Sequence, residues 1–262
     1  MAYFSIEFFS KSLIRPVNFK MYIPNDPRPE ANLAEDPYYQ RGTKTLFVLH
    51  GYTGASENWG MEELARKYNF AIVSPSGENG FYVDGPATGH KYATFLGVEL
   101  VEYIRKTFNL AMRPEDTGIV GLSMGGYGAI HTGLAYPETF GMIGAMSSAL
   151  IVKGLAGMQP GSDNGMANYD YYYGCFGDLS KAAETEANPE VLIKKLKANG
   201  IAIPKLYMCC GTEDFLLAAN RDLHEFLVKE GVEHEYKESK GGHDDVFWAE
   251  YRQKIVPWMF EI

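Results

Sequence analysis

A serine between two glycines, in the segment Gly121-Leu122-Ser123-Met124-Gly125, constrains the fold of this chain more than any other feature. The strand-like run Thr117-Gly118-Ile119-Val120 precedes it, and a helix-like run from Gly126 to Ala135 follows it. A serine on such a strand-to-helix turn has strained backbone angles that project its hydroxyl from the sheet edge, and glycines let neighbouring backbone pass. The five-residue pattern alone is weak evidence, so its context carries the prediction. Ser123 is predicted to be a nucleophile, and the Met124 amide, at a helix N-terminus, a donor to an oxyanion.

An acid and a histidine follow Ser123 in the order that is typical of serine nucleophiles on this kind of turn. The apolar run Lys205 to Cys210 fits a buried strand and ends in Gly211-Thr212-Glu213-Asp214, which predicts Asp214 as the acid. The flexible run Gly241-Gly242-His243 precedes a helix-like stretch from Val246 to Phe260, which predicts His243 as the general base. Histidine can take a serine proton near neutral pH, and a carboxylate orients its ring. The alternatives for the acid are Glu213 and Asp178.

The segment His50-Gly51-Tyr52-Thr53-Gly54 follows a continuous apolar strand, Thr45 to Leu49. This is the usual position of the loop that gives the second oxyanion-hole amide. The amide of Tyr52 is the predicted donor, with that of Thr53 as the alternative. His50, at the end of the strand, is predicted to hold the loop by hydrogen bonds and not to transfer protons.

Strand-like and helix-like segments alternate along the chain. An antiparallel pair, Ser5 to Phe9 and Val17 to Ile23, opens it, and a Pro- and acid-rich surface loop from Pro24 to Gly42 follows. Further helices are predicted over 59–68, 98–108 and 189–198, and further strands over 70–74, 142–146 and 233–237. The alternation predicts an α/β fold with a mostly parallel central sheet and helices on both faces. At this length we expect a single domain, 1–262.

One segment, around 147–188, departs from the alternation and is rich in Gly, Asn, Ser and Tyr. A loop this long inside a compact domain is usually functional or disordered, so we expect a partial cap over Ser123. Ligand pockets are mostly apolar, which predicts aromatic substrate-binding residues: Trp59, Tyr82, Tyr172 and Phe176. The alternative is that the aromatic residues of the cap only pack it onto the sheet.

Composition excludes several kinds of partner. A net charge of -9 argues against nucleic acid or an anionic membrane, and no stretch approaches the ~20 apolar residues of a membrane span. Met1 to Leu13 shows no secretion signal. The three cysteines, Cys175, Cys209 and Cys210, lack metal-ligand spacing and fit buried thiols of a reducing compartment. We expect a cytoplasmic protein without metal or cofactor.

Five segments together resemble the esterase D superfamily, specifically its bacterial tributyrin-esterase branch, which is related to feruloyl and acetylxylan esterases and to S-formylglutathione hydrolases. The likeness covers nearly the whole chain. It implies an α/β-hydrolase fold with a small loop-rich cap, the triad Ser123, Asp214 and His243, and an oxyanion hole from the amides of Tyr52 and Met124. The segments are His50 to Gly54, Asn79 to Asp84, Gly121 to Gly128, Cys210 to Phe215 and Gly242 to Trp248.

The chain departs from related branches next to the base. The thioester hydrolases usually have a His-Asp-His-Ser-Tyr type of run where this chain has His243-Asp244-Asp245-Val246, which disfavours glutathione thioesters. The expected function is a serine carboxylesterase for short-chain acyl esters of small molecules.

Several alternatives stay open. A feruloyl or acetylxylan esterase acting on plant cell-wall carbohydrate esters would use the same site. An acyltransferase would replace water by a bound alcohol, and a catalytically silent hydrolase fold would serve for binding. The formation of a homo-oligomer is also left open.

Overall fold

The computed structural model describes residues 2–25, 33–57 and 59–261. Within these residues, the strands are β1 (Ala2–Ser10), β2 (Arg15–Ile23), β3 (Lys44–Leu49), β4 (Phe70–Pro75), β5 (Thr117–Leu122), β6 (Met142–Met146), β7 (Lys205–Gly211) and β8 (Glu235–Ser239). They form one sheet in the order β1-β2-β4-β3-β5-β6-β7-β8. Strands β1, β2 and β4 pair antiparallel, and all pairings from β4 through β8 are parallel. The prediction of a mostly parallel sheet is confirmed.

Helices cover the sheet and connect its strands. They are α1 (Pro37–Gln40), α2 (Glu62–Tyr68), α3 (Tyr92–Thr94), α4 (Val101–Phe108), α5 (Met124–Ala135), α6 (Tyr169–Phe176), α7 (Pro189–Ala198), α8 (Leu217–Lys229) and α9 (Asp245–Phe260). A π-helical segment, Phe95–Leu100, joins α3 to α4. Short 3₁₀ turns lie at Leu33–Glu35, Pro114–Asp116, Val152–Leu155 and Ala182–Glu184.

The two faces of the sheet bury separate apolar cores. Successive side chains of a strand point to opposite faces, and β3 shows the consequence. Phe47 and Leu49 join the core that includes Ile130 of α5, while Leu46 and Val48 join the core that includes Ile255 of α9. Strands buried on both faces read as continuous apolar runs, which is why β3 and β4 lack the alternation seen in β1.

The predicted elements differ from the observed ones mainly at their ends. The helix predicted over 59–68 begins at Glu62, and the strand predicted over 233–237 runs from Glu235 to Ser239. The helix predicted over 98–108 extends back to Tyr92 through the π-helical segment. Of the predicted loop Pro24 to Gly42, residues 26–32 lie outside the described residues, and its later part contains α1.

The segment 147–188 contains helix α6, which the sequence reading did not predict. Asn168 caps this helix, because its side-chain oxygen accepts the amide of Tyr171 at 2.9 Å. The Tyr171 hydroxyl donates to the carbonyl of Asn79 at 2.6 Å, which ties the segment to the loop after β4. No helix among the described residues is both long and apolar enough to cross a membrane.

Candidate active site

Ser123 lies between the end of β5 and the start of α5 with φ 54° and ψ -119°, a backbone conformation that a non-glycine residue rarely adopts. Two glycines make the turn sterically feasible. A Cβ on Gly121 would lie 2.0 Å from the carbonyl oxygen of Gly125, and a Cβ on Gly125 would lie 2.1 Å from that of Leu49. The turn therefore packs directly against the end of β3, where the His50 to Gly54 loop begins.

His243 bridges the other two side chains that the sequence singled out. Its Nε2 lies 2.9 Å from the Ser123 hydroxyl, and its Nδ1 lies 2.9 Å from Oδ2 of Asp214. The Asp214 side chain has no exposed surface, whereas that of His243 is 19% exposed. A partly exposed imidazole can meet a substrate while the buried carboxylate only orients it.

Asp214 sits on the turn after β7, and its Oδ1 accepts the backbone amide of Leu216 at 2.8 Å. Burial alone would raise the pKa of this carboxyl group. Hydrogen bonds from His243, the Leu216 amide and the Ser147 side chain outweigh that effect and hold the pKa of Asp214 below its ordinary value. Asp214 is therefore ionised at neutral pH. The two alternative acids, Glu213 and Asp178, are exposed.

The two predicted oxyanion donors are the amide of Met124, the residue after Ser123, and the amide of Tyr52, in a loop that lines the same cavity as Ser123. Met124 is the first residue of α5, so its amide has no carbonyl partner within the helix. In the opposite loop, the amide of Thr53 donates to Oδ1 of Asn79 at 2.9 Å and is occupied. Of the two candidates in that loop, Tyr52 is thus favoured over Thr53.

His50 holds this loop through both ring nitrogens. Its Nε2 accepts the amide of Gly77 at 2.9 Å, and its Nδ1 lies 2.7 Å from the carbonyl of Gly51. A carbonyl only accepts and an amide only donates, so the ring is neutral with its proton on Nδ1. Burial lowers the pKa of His50, which agrees with the neutral form.

The cavity at Ser123 measures about 720 Å³. This volume lies within the roughly 300–1,000 Å³ that is usual for small-ligand sites and would suit an ester. Ser123, His243, Tyr52 and Trp59 line it together. Further lining residues that the sequence reading did not identify are Glu57, Leu122, Met166, Phe215, Asp245, Trp248 and Arg252.

Three of the four predicted substrate-binding residues do not line this cavity. Tyr82 is 1% exposed and donates its hydroxyl to the carbonyl of His50 at 3.1 Å. Tyr172 is buried with its hydroxyl beside Asn164, and Phe176 packs on the rings of Phe81 and Tyr127. The rings of these three residues are buried in the core, which agrees with the alternative that the aromatic residues serve packing. The prediction that they bind substrate in the cavity is therefore corrected.

Three of the cavity-lining residues that were not predicted share a regular spacing in α9, which the sequence could have revealed. Asp245, Trp248 and Arg252 are three and four residues apart, so they share one helix face directly after His243. The Trp248 ring stands edge-on to the His243 ring, with centroids 4.9 Å apart. Phe215, the residue after Asp214, is 68% exposed and lies 4.7 Å from the same imidazole ring.

The cysteines do not contribute reactive groups near this cavity. Cys175, Cys209 and Cys210 are free and buried, and burial raises the pKa of Cys175 and of Cys210 to about 12. Among residues 2–25, 33–57 and 59–261, no cluster of three or more His, Cys, Asp or Glu side chains is arranged to hold a metal ion.

The chain matches a known protein family over nearly its whole length. The family model Esterase, described as "Putative esterase", matches residues 10–259. An acetyl esterase of Caldicellulosiruptor saccharolyticus is 40% identical over 266 residues, covering 100% of this chain and 99% of that protein.

Two solved structures from Staphylococcus aureus share the fold. The substrate-bound fluorophosphonate-binding serine hydrolase F has a TM-score of 0.84 at 26% identity, covering 100% of this chain and 99% of the other. An S-formylglutathione hydrolase apoenzyme has a TM-score of 0.82 at 25% identity, covering 99% of each chain. The fold is that of an α/β hydrolase, as the resemblance implied.

Proposed function

Because the chain belongs to the Esterase family, we propose that this carboxylic ester hydrolase is a serine carboxylesterase for short-chain acyl esters, acting through an acyl-enzyme on Ser123. One observation carries the proposal. The Ser123 hydroxyl, the His243 imidazole and the Asp214 carboxylate form a continuous hydrogen-bonded chain beside an open cavity. Such a chain turns a weak hydroxyl nucleophile into an effective one.

In the first half-reaction, the Ser123 oxygen attacks the ester carbonyl carbon while Nε2 of His243 takes the hydroxyl proton. The amides of Met124 and Tyr52 donate to the oxyanion that forms. The ionised Asp214 carboxylate accepts from Nδ1 and stabilises the imidazolium. Protonated His243 then gives its proton to the departing alkoxide, and the acyl group stays on Ser123 as an ester.

In the second half-reaction, water replaces the alcohol. Nε2 of His243 removes a proton from the water molecule as it attacks the acyl carbon, and the same two amides hold the second oxyanion. Collapse of this intermediate returns the proton to Ser123 and releases the carboxylic acid. The 19% exposure of the His243 side chain leaves room for this water to approach.

The acetyl group is the proposed acyl group. The relative that is 40% identical over its whole length is named an acetyl esterase, which favours a small acyl group over a bulky aromatic one. The apolar walls of the cavity, Trp59, Leu122 and Trp248, supply the contact surface for the remainder of the substrate.

A substrate panel tests the proposal. We expect the highest kcat/KM with p-nitrophenyl acetate or butyrate, lower values for longer chains, and no hydrolysis by Ser123→Ala. Methyl ferulate and acetylated xylo-oligosaccharides complete the panel. Preference for methyl ferulate would contradict the short-chain assignment. Preference for the xylo-oligosaccharides would keep the acyl group but assign the carbohydrate-ester alternative.

Water as the acceptor is tested separately. Added alcohols should not produce a transesterification product that outweighs the free acid. If the transferred ester dominates in dilute alcohol, the chain is an acyltransferase and the second half-reaction above is wrong.

A further inference from the structure

The segment Asn79 to Asp84 is one of the five that carry the family resemblance, yet the mechanism above uses none of its side chains. It lies in the loop after β4, where three non-glycine residues have φ in the left-handed region: Glu78 (46°), Phe81 (51°) and Tyr82 (54°). Strained residues of this kind persist only where the surrounding structure determines them, and they cluster at functional sites. The contacts of this loop therefore indicate what it does.

The neighbouring segment His50 to Gly54 is bonded to this loop at its start and in its middle. At its start, the Tyr82 hydroxyl donates to the His50 carbonyl at 3.1 Å. In its middle, the Thr53 amide donates to Oδ1 of Asn79 at 2.9 Å. Asn79 is therefore the residue that holds the part of the segment next to the proposed oxyanion donor.

Thr53 depends on this bond because its own backbone is strained. Its φ is 64°, in the left-handed region, which a β-branched residue rarely adopts. Thr53 is exposed, and within the described part of the chain it makes no other hydrogen bond. Without the Asn79 oxygen, we expect Thr53 to return to ordinary backbone angles.

The proposed oxyanion donor, the amide of Tyr52, comes one peptide unit before that of Thr53. The carbonyl of the same peptide, that of Gly51, accepts the Gly54 amide at 3.0 Å and lies 2.7 Å from Nδ1 of His50. Because the peptide bond is planar and trans, the Tyr52 N–H points the opposite way from this carbonyl. No acceptor among the described residues bonds it, so this N–H is available to an oxyanion.

The peptide between Gly51 and Tyr52 lies directly beside the nucleophile. A Cβ on Gly51 would stand 3.6 Å from the Cβ of Ser123 and 2.8 Å from Cδ1 of Leu122. Any rotation of the backbone from Tyr52 to Thr53 would therefore move a donor that lies next to the reacting hydroxyl. A misplaced donor stabilises the transition state less.

We propose that Asn79 is a positioning residue of the oxyanion hole: its side-chain oxygen holds Thr53 in the left-handed conformation and so fixes the direction of the Tyr52 amide. This inference rests on the proposed function of Ser123, with Tyr52 as an oxyanion donor.

Helix α6 holds Asn79 from the other side. The Tyr171 hydroxyl donates to the Asn79 carbonyl at 2.6 Å. The Tyr171 ring also stands edge-on to the Tyr52 ring, with centroids 5.8 Å apart. Asn79 thus connects the segment 147–188 to the proposed oxyanion hole, and the Tyr171 hydroxyl contributes to the same positioning.

Three substitutions and two matched controls test the inference on the full chain. Asn79→Ala removes the acceptor oxygen, and Asn79→Asp keeps one in the same place. The control for the alanine variant is Asn18→Ala, because Asn18 is exposed on β2 and its side chain makes no hydrogen bond among the described residues. Tyr171→Phe removes only a hydroxyl. Its control is Tyr173→Phe, in an exposed tyrosine of α6 whose hydroxyl has no described partner.

With p-nitrophenyl acetate, Asn79→Ala should lower kcat about 10-fold and leave KM within about 2-fold, because the donor matters more to the oxyanion than to the bound ester. This loss is smaller than the roughly 10²–10³-fold cost of removing an oxyanion donor, since the Tyr52 amide itself remains. Both half-reactions form an oxyanion, so kcat falls whichever of them limits the rate.

The other variants should show graded effects. Asn79→Asp should stay within about 3-fold of the wild type when both are measured in about 0.5 M NaCl, which screens the added charge. Tyr171→Phe should lower kcat about 3-fold, because it loosens Asn79 without removing the oxygen that binds Thr53. The two controls should match the wild type.

Three results would overturn the inference: wild-type kcat in Asn79→Ala, the same loss of kcat in Asn79→Asp as in Asn79→Ala, or a rise in KM without a fall in kcat. Circular dichroism and urea unfolding verify that each variant is folded. Ser123→Ala, measured alongside, separates the levels. Full activity in that variant removes the proposed function itself, whereas its inactivity beside a normal Asn79→Ala removes only this inference.

Discussion

At the scale of single residues, the site depends on the buried negative charge of the Asp214 carboxylate. Asp214 is buried, yet its pKa lies below the ordinary value because hydrogen bonds, including those from the His243 ring and the Leu216 amide, outweigh the effect of burial. The same carboxylate fixes the proton of His243 on Nδ1, which leaves Nε2 free to accept from Ser123. Asparagine at position 214 would keep the shape of the side chain. It would lose the negative charge and would no longer fix the proton of His243 on Nδ1.

Asp214→Asn should therefore lower kcat by about 10⁴-fold, as substitution of the acid does in trypsin-type triads. The control is Asp178→Asn, an exposed acid whose described side-chain partners are its near neighbours Ser180 and Lys181, and this variant should keep full activity. Initial rates with p-nitrophenyl acetate, combined with circular dichroism to verify folding, give the comparison. If Asp178→Asn loses activity and Asp214→Asn keeps it, Asp178 and not Asp214 is the acid of the triad.

At the scale of elements, two loops meet because glycine has no side chain. The turn from β5 into α5 lies so close to the end of β3 that a Cβ on Gly125 would stand 2.1 Å from the Leu49 carbonyl and 2.6 Å from the His50 carbonyl. The backbone that precedes the Gly51 to Gly54 loop therefore packs directly on the turn that carries Ser123. We infer that this packing of backbone on backbone sets the geometry of the proposed oxyanion hole.

Gly125→Ala should destabilise the protein by about 1–3 kcal/mol, the usual cost of overpacking, and should lower kcat by displacing the His50 to Gly54 loop. Gly174→Ala is the matched control within α6, since a Cβ there meets nothing within 4 Å. Urea unfolding and initial rates measure both effects. Equal stability and equal kcat in the two variants would contradict the packing argument.

The elements also show what could be predicted from sequence. Ser123, Asp214 and His243 each follow a strong strand or precede a strong helix, so pattern and chain order sufficed to identify them. Tyr82, Tyr172 and Phe176 were assigned wrongly to the pocket because an aromatic residue has the same local pattern in a core and in a cavity wall. Ser147, which is buried after β6, was missed because its hydrogen-bond partner, Trp248, is distant in sequence.

At the scale of the whole molecule, one histidine couples folding to pH. His131 lies two turns beyond Ser123 on α5 and stacks on Tyr127, and its Nδ1 has no partner among the described residues. Burial lowers the pKa of His131 to about 4, although Asp84 and Glu186 oppose the shift. The folded protein therefore holds this ring neutral where the unfolded chain, with a pKa of about 6.5, binds a proton.

The sign of the effect follows from proton linkage. Below about pH 6.5, the unfolded state binds a proton that the folded state does not, so stability is full above that pH and is lost as pH falls toward 4. Between pH 7 and pH 5 the loss from His131 is about 2 kcal/mol.

His131→Gln removes the titrating group, so its unfolding free energy should fall less between pH 7 and pH 5 than that of the wild type, by about 2 kcal/mol. Urea titrations of the wild type and the variant, each at pH 7 and pH 5, give the four unfolding free energies that this comparison needs. An equal fall in both proteins would show that His131 does not titrate in this way.

The central claim, that Ser123 is the nucleophile and His243 its base, is tested most directly by covalent trapping. The protein is treated with a fluorophosphonate, digested, and mapped by mass spectrometry, with His243→Ala treated in parallel. We expect a single adduct on Ser123 in the wild type and little or none in the variant. An adduct on another residue, or labelling of Ser123 at an undiminished rate without His243, would contradict the account.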